Sequence, residues 1–441
     1  VFPGGKDASM VNFNIERSLN LTQDWLNSRE STIYEAAFSA DDVLAFLDIL
    51  HHKDGQRLAI EVKSSTSVKE YHYSDAALQY WVMNRSGIRP DHFILMYINN
   101  EYVKDGDIEP ERLFTQVDIT NAVLDLQSWV EEKLGSLREM LTNGLEPTQD
   151  IGPHCNSPFE CDFIHFCWKH VPEHSVFELS NANGKDWELY DNGILRLADI
   201  PDDFKLNPKQ EIQVQTVREG KGYTDVKEIQ QFLSSWDYPL HFFDFETIGG
   251  AIPLLDGTKP FEQIPFQYSL HIIRHEGAEP EHFEFMSDPK GFVELSVDPR
   301  LDLIKAMKAH FEVNGSIVAY NASFEKRVIE RLASAFPNEK NFLHSLSDRF
   351  VDLWDVYRKY WCYTPEMKGS ASIKAVLPAI VPDFSYEELQ VHDGNEASAI
   401  FSSMIDKTFK GDILTARKDL LAYCKLDTLA MVMLYRELLK V

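Results

Sequence analysis

Asp244 and Glu246 stand two apart in HFFDFET, a stretch that is otherwise apolar. A strand alternates its side chains, so both carboxylates take one face while Phe243 and Phe245 take the other. Acids in so apolar a strand are costly to bury unless paired or bound to a metal ion. The competing reading is a solvated edge strand. Near the end of the chain, Tyr423 and Asp427 in LLAYCKLDTLAM lie four apart and share a helix face. Between these stretches, VAYNASFEKRVIERL passes from strand to helix with Glu325 in the first turn, where an acid also suits a helix start. Several convergent carboxylates are what two-metal phosphodiester cleavage needs, with ions about 3.5–4 Å apart. Asp352, in FVDLWDVY, is a further acid near that site and reads chiefly as the acid of a helix N-terminus.

A second constellation lies near the start. Asp48, Glu61 and Lys63 form the spacing Asp-x12-Glu-x-Lys. In AIEVKSS, Ile60 and Val62 face one way, and Glu61 and Lys63 face the other side by side. Two acids can hold a divalent ion while the ammonium orients water and offsets phosphate charge. An E-x-K pair alone is a common surface feature; its coupling to Asp48 inside VLAFLDIL strengthens the chemical reading. Glu35 in TIYEAAF would add a fourth acid, and His51 and His52 could contact metal or phosphate, although turn histidines are more often simply solvated. A third group is HCNSPFECDFIHFCWKH, which spaces Cys155, Cys161 and Cys167 six apart. Core packing rarely gathers three thiols so closely, whereas soft metals want them; zinc would take a fourth ligand from His154, His165 or His170. Cys362 and Cys424 stand isolated and read as inert.

The elements that must position these groups follow from periodicity. Residues 32–39, 43–50 and 57–64 read as strands, followed by a helix over 74–87, a strand over 92–99 and an amphipathic helix over 117–142. Residues 176–235 are polar and broken, a helical connector. From Pro239 the texture changes to three strands (239–247, 264–274, 282–287), then helix 299–311, strand 316–320, helix 322–336 and a last helix over 415–440. Strands first and helices after suggest an α/β layer fold of the ribonuclease-H type.

Length and composition set the limits. A chain of 441 residues holds two or three domains, and 44% hydrophobic with 12% aromatic residues suits packed cores. No apolar run approaches the roughly 18 residues of a membrane span. VFPGGKDASM has no signal-peptide pattern and no initiator Met, and reads as a start with residues missing upstream. With 43 basic against 70 acidic residues the net charge is −27, which argues against coating nucleic acid by bulk charge. It is compatible with carboxylates neutralised by metal and a locally basic groove. Five cysteines fit a reducing, cytoplasmic setting.

Taken together, DFET, NASFE and Tyr423-x3-Asp427 resemble the three motifs of the DnaQ-like exonuclease superfamily, in its DEDDy branch, over roughly 238–441. The other branch would want His where Ala422 stands. The resemblance implies a metal-dependent 3′→5′ exonuclease using Mg2+ or Mn2+. Asp244, Glu246 and Asp427 would hold the ions, Glu325 would stand where the second motif normally has Asp, and Tyr423 would orient the attacking water. Asp48, Glu61 and Lys63 resemble the PD-(D/E)XK nuclease superfamily, in its RecB-like members. In these a helical Gln follows the lysine, matched here by Gln79, with Asp75 one turn before it and Met83 where Tyr is usual.

The Cys trio then resembles the [4Fe–4S] staple of such nucleases, although the upstream Cys of that set is absent. Iron–sulfur is favoured and zinc is the alternative. The whole order resembles a bacterial family known as domain of unknown function 2779, to which TKPFEQIPFQYSLH and YPLHFFDFETIGG look typical. The implied fold is α/β throughout: a PD-(D/E)XK restriction-endonuclease-like domain over 1–150, a Cys-rich segment over 151–175 belonging to it, a connector over 176–235, and a ribonuclease-H-like, DnaQ-type domain over 236–441. The implied partner is nucleic acid, as single strands or ends, DNA or RNA. The rivals are a nucleic-acid-binding adaptor with one dead domain and a defence-system effector that acts only with protein partners.

Overall fold

Alternating apolar residues in the first third of the chain build one sheet, and a second apolar run from Leu240 builds another. The computed structural model describes residues 1–9, 14–384 and 389–441. It divides into two compact units: Val1–Glu160 with Gly250–Phe261, and Cys161–Gly249 with Glu262–Val441. Both are mixed α/β. No helix of the described residues is long and apolar enough to cross a membrane.

The first unit carries six strands: β1 (Lys6–Asp7), β2 (Thr32–Ala40), β3 (Val43–Lys53), β4 (Gln56–Lys63), β5 (His92–Ile98) and β6 (Phe114–Asp118), neighbours in that order. The three strands β2 to β4 form an antiparallel meander. β4 and β5 are parallel, and helix Glu70–Arg85 makes the crossover that parallel pairing demands. Ala76, Ala77, Trp81 and Met83 of that helix are buried with Ala36, Leu47, Ala59 and Phe93 of the sheet. The stretch expected as a single helix over 117–142 begins instead as strand β6, which ends at Asp118; helices Thr120–Asp125 and Gln127–Asn143 follow. The Asp118 side chain accepts from the Thr120 N–H and hydroxyl, which turns the chain from strand into helix.

In the second unit β7 (Tyr223–Thr224) pairs with β13 (Cys362–Tyr363), while β8 (Leu240–Ile248), β9 (Ile264–Ile273), β10 (Glu281–Met286), β11 (Ile317–Ala319) and β12 (Phe350–Asp352) form a sheet ordered β10-β9-β8-β11-β12. β8 is central, antiparallel to β9 and parallel to β11. Its alternation divides two cores. Phe243 and Phe245 pack with Leu303, Met307, Val328 and Leu332 of helices Arg300–His310 and Ser323–Ala335. Leu240 and Phe242 pack with Met431 and Tyr435 of helix Ile413–Leu438. Thr428 pins that long helix to β9 by bonding the Ser269 hydroxyl at 2.7 Å and His271 at 2.8 Å, and Gln267 donates to the Leu420 carbonyl at 2.8 Å.

The stretch read as a connector belongs to this second unit. Val176, Leu179, Leu189, Leu197, Ile200 and Val214 have a small core of their own, and Gln213 donates to the Glu178 carbonyl. Gly369 has φ +75, and a Cβ there would sit 2.1 Å from that same carbonyl, so only glycine fits the turn. The unit boundary also divides the Cys-rich segment expected in the first domain: Cys155 lies on the first side of it, Cys161 and Cys167 on the second.

Candidate active site

In the second unit, Asp244 and Glu246 project from β8 on the face covered by the long helix Ile413–Leu438. Their register partners on β9 are Ser269 and Gln267. The helix presents Tyr423 and Asp427 from one face, and both line an open cleft of about 510 Å3 together with Asp244 and Glu246. Tyr320 and Phe324, which follow β11, line it too, so the cleft opens at the carboxyl ends of the parallel strands β8 and β11, where α/β sheets place ligands.

The acids raise one another. Asp244 is pushed well above the ordinary range by burial and by the charges of Asp427, Glu246 and Glu325. Glu246 is pushed up to about 8 by burial and by Asp427, against the pull of Lys374. Glu325, in the first turn of Ser323–Ala335, is 2% exposed and is also pushed up to about 8, by burial first and Asp352 next. Its Oε2 is buried with no hydrogen-bond partner among the described residues. Asp352 ends β12 and accepts the backbone N–H of Trp354 at 3.1 Å and of Asn321 at 2.9 Å, while its charge helps raise Glu325.

Cys424 is a correction. Read as isolated, it places Sγ 3.9 Å from the Asp244 carboxylate, and Asp244, Glu246 and Cys424 offer ligand atoms within 4.8 Å of one another. Its spacing held the signal, since Cys424 is three residues before Asp427 and shares its helix face. Burial and the acid charges push the thiol far up, so it stays protonated. Lys374, Asn395 and Ser398 also line the cleft without having been singled out. Lys374 stands in the first turn of Ile373–Ile380 and donates to the His392 carbonyl at 2.8 Å. Only tertiary packing brings it to Glu246, so no local pattern marks it.

In the first unit, Glu61 and Lys63 lie side by side on β4, Nζ to Oε1 at 2.8 Å. Lys63 also pairs with Asp75 at 2.6 Å, from the crossover helix. Burial opposes its charge, but those two bonds hold the ammonium above its ordinary value. Asp48 on β3 accepts the Val62 N–H at 2.6 Å. Burial and the Asp48 charge push Glu61 up to about 7, and Asp48 itself is raised, mostly by burial. Gln79 is buried beside them, donating to Asp75 at 3.4 Å, and its Oε1 and the Glu61 Oε2 have no partner among the described residues.

Glu35 lies on β2 between the pairs Tyr34–Ile49 and Ala36–Leu47, which sets it opposite Asp48. Its φ of +52 is rare for a non-glycine residue, and burial and Asp48 raise its carboxyl. His51 bonds the Thr32 hydroxyl at 2.9 Å, and His52 is exposed. Met83 is buried in the core. All five cysteines are free thiols; Cys155 is buried, Cys161 exposed and Cys167 half-buried.

Residues 241–372 match the family described as "Domain of unknown function (DUF2779)". That span holds Asp244, Glu246 and Glu325 but neither Tyr423 nor Asp427, and it is narrower than the likeness read along the whole sequence. The chain is 28% identical over 218 residues to Uncharacterized protein UU173 of Ureaplasma parvum serovar 3, covering 43% of this chain and 30% of that protein. It is 26% identical over 206 residues to Uncharacterized protein MG366 of Mycoplasma genitalium, again 43% and 30%. The MG366 homolog of Mycoplasma pneumoniae is 27% identical over 210 residues, 43% of this chain and 31% of that protein. The chain thus spans about three tenths of the length of the curated relatives it matches.

Proposed function

We propose that the second unit is a ribonuclease-H-like, DnaQ-type 3′→5′ exonuclease that depends on divalent metal, and that the first unit is a PD-(D/E)XK-type nuclease centre. The observation that carries this is the gathering of Asp244, Glu246, Glu325 and Asp427 into mutual electrostatic contact beside one cleft, with Tyr423 in its wall. The residues fit Mg2+ or Mn2+. Their donors are hard oxygens, their like charges raise one another, and the buried Glu325 Oε2 lacks a hydrogen-bond partner among the described residues. Asp244, Glu246 and Asp427 would hold the ions, with Glu325 completing the set.

Bound divalent ions would supply the charge that makes water nucleophilic and offsets the leaving oxygen. The Tyr423 hydroxyl would hold the attacking water in line with the phosphorus, and Lys374 would sit beside the phosphate as its charge grows. In the first unit Asp48 and Glu61 would hold an ion, Lys63 would orient water and Gln79 would steady Glu61. The test is incubation of end-labelled DNA and RNA oligonucleotides with Mg2+ or Mn2+, with and without EDTA. Metal-dependent release beginning at the 3′ end supports the reading, and absence of cleavage on every substrate and metal overturns it.

For the Cys trio we propose a soft-metal ligand set, a [4Fe–4S] cluster in preference to zinc, on the chemistry of three free thiols within residues 155–167. Protein purified without oxygen should be brown, and Cys161→Ser should bleach it. Colourless protein carrying stoichiometric zinc would overturn the cluster in favour of a Cys/His site.

A further inference from the structure

A second cleft in the same unit, of about 660 Å3, is lined by Lys209, Arg358, Lys359 and Lys368, with Glu178 as the one acid among its lining residues. In a chain of net charge −27 this is a local reversal of sign. Arg358 and Lys359 pair with Asp355, and Lys368 pairs with Glu173, all with side chains 43–51% exposed on the basic side. Lys209 makes no ion pair among the described residues. The Lys368–Glu173 pair is exposed on both sides and weak in water, so an arriving phosphate can replace that carboxylate. Trp354 adds a ring, with the Arg358 guanidinium 4.9 Å from its centroid.

The basic cleft and the acid cleft share a wall. Gly369, Ser370 and Ala371 line the first, while Ile373 and Lys374 line the second. The Tyr320 hydroxyl donates to the Ala371 carbonyl at 2.6 Å, and Tyr320 itself lines the acid cleft. At the start of this wall Gly369 comes so close to the Glu178 carbonyl that no Cβ fits there. We propose that the cleft of Lys209, Trp354, Arg358, Lys359 and Lys368 is the track that carries the phosphodiester backbone of a single strand toward the acid cleft. The cations follow the phosphates and the indole face stacks a base, the usual combination for strands bound without sequence preference. This inference rests on the nuclease reading for its destination.

The test compares wild type with the double variant Lys209→Glu/Lys368→Glu. Binding of a fluorescent 15-nucleotide single strand is read by anisotropy in EDTA across a salt series, beside an uncharged peptide nucleic acid of the same sequence. Hydrolysis of a dinucleotide with Mn2+ is measured in parallel. The track predicts at least about tenfold weaker binding in the double variant. At about 0.7 per phosphate contact on single strands, it also predicts a salt slope smaller by about 1.4, together with unchanged dinucleotide turnover. Trp354→Ala should weaken binding without changing the slope. Equal affinity and slope in wild type and double variant, or equal binding of the uncharged oligomer, would overturn the track. Should charge reversal unfold the protein by circular dichroism, Lys209→Gln/Lys368→Gln gives the same decision with a smaller change. Wild type that binds the strand but cleaves neither the dinucleotide nor any longer DNA or RNA strand with Mg2+ or Mn2+ would sink the nuclease reading and leave the track standing.

Discussion

Glu61 and Asp244 are both acids on interior strands of mixed sheets, yet their surroundings compensate them differently. Glu61 has the Lys63 ammonium at 2.8 Å, and that lysine bridges on to Asp75. Asp244 has a protonated thiol and three further acids, and none of Asp244, Glu246 and Glu325 forms an ion pair among the described residues. Lys374 draws on Glu246 from beyond ion-pair distance. A site that carries its own cation tolerates the loss of metal; a site built from like charges stores repulsion that a divalent ion would relieve. The two centres should therefore part company when metal, charge or pH is changed.

The largest expected difference comes from Asp244→Asn. If several kcal/mol of transition-state stabilisation depend on this acid, 3′ shortening should fall by at least about 10³-fold. Metal-free melting temperature should hold or rise, because one of four acids that burial and mutual repulsion force to keep their protons is gone. A lower melting temperature with retained laddering would mean that Asp244 is a packing residue. Next in size is Tyr423→Phe, which should lower exonuclease turnover by about 10²-fold or more, within the range of positioned acid–base groups, with KM unchanged. Unchanged turnover would reduce Tyr423 to helix packing.

Lys63→Ala sharpens the comparison from the other side. In an Asp244→Asn background it should remove whatever nuclease activity remains. If Asp244→Asn alone has no residual activity on DNA or RNA, the first unit is a binding platform.

The smallest effect is on stability against pH. Glu246 and Glu325, ordinarily near 4.5, are each pushed up to about 8. The folded protein thus keeps protons that the unfolded chain releases, so their contribution is fully present below about pH 4.5 and is lost as pH rises through about 8. In EDTA, Glu246→Gln should lose less melting temperature than wild type between about pH 5 and pH 8. Mg2+ should stabilise wild type more at the upper end. Parallel curves would show that the acid repulsion is not felt by the fold.

The strand carrying Asp244 and Glu246 was legible because alternation in HFFDFET is strong and both faces meet apolar layers. Tyr423 and Asp427 were legible because helical spacing is local. Strand β12 was not, since three residues paired to β11 carry no periodic signal. The packing of 161–235 onto the second unit was not legible either, because a two-residue strand pairing and the Gln213 and Gly369 contacts are long-range. Glu35 could be named as an acid, but its left-handed backbone opposite Asp48 comes from the sheet and not from its own neighbours.

The account turns on whether the buried acids of the second unit are a metal centre, and counting bound Mn2+ by electron paramagnetic resonance tests that directly. Wild type and Lys63→Ala should both show saturable Mn2+ binding that Asp244→Asn loses in part. Equal Mn2+ uptake by wild type and Asp244→Asn would contradict it.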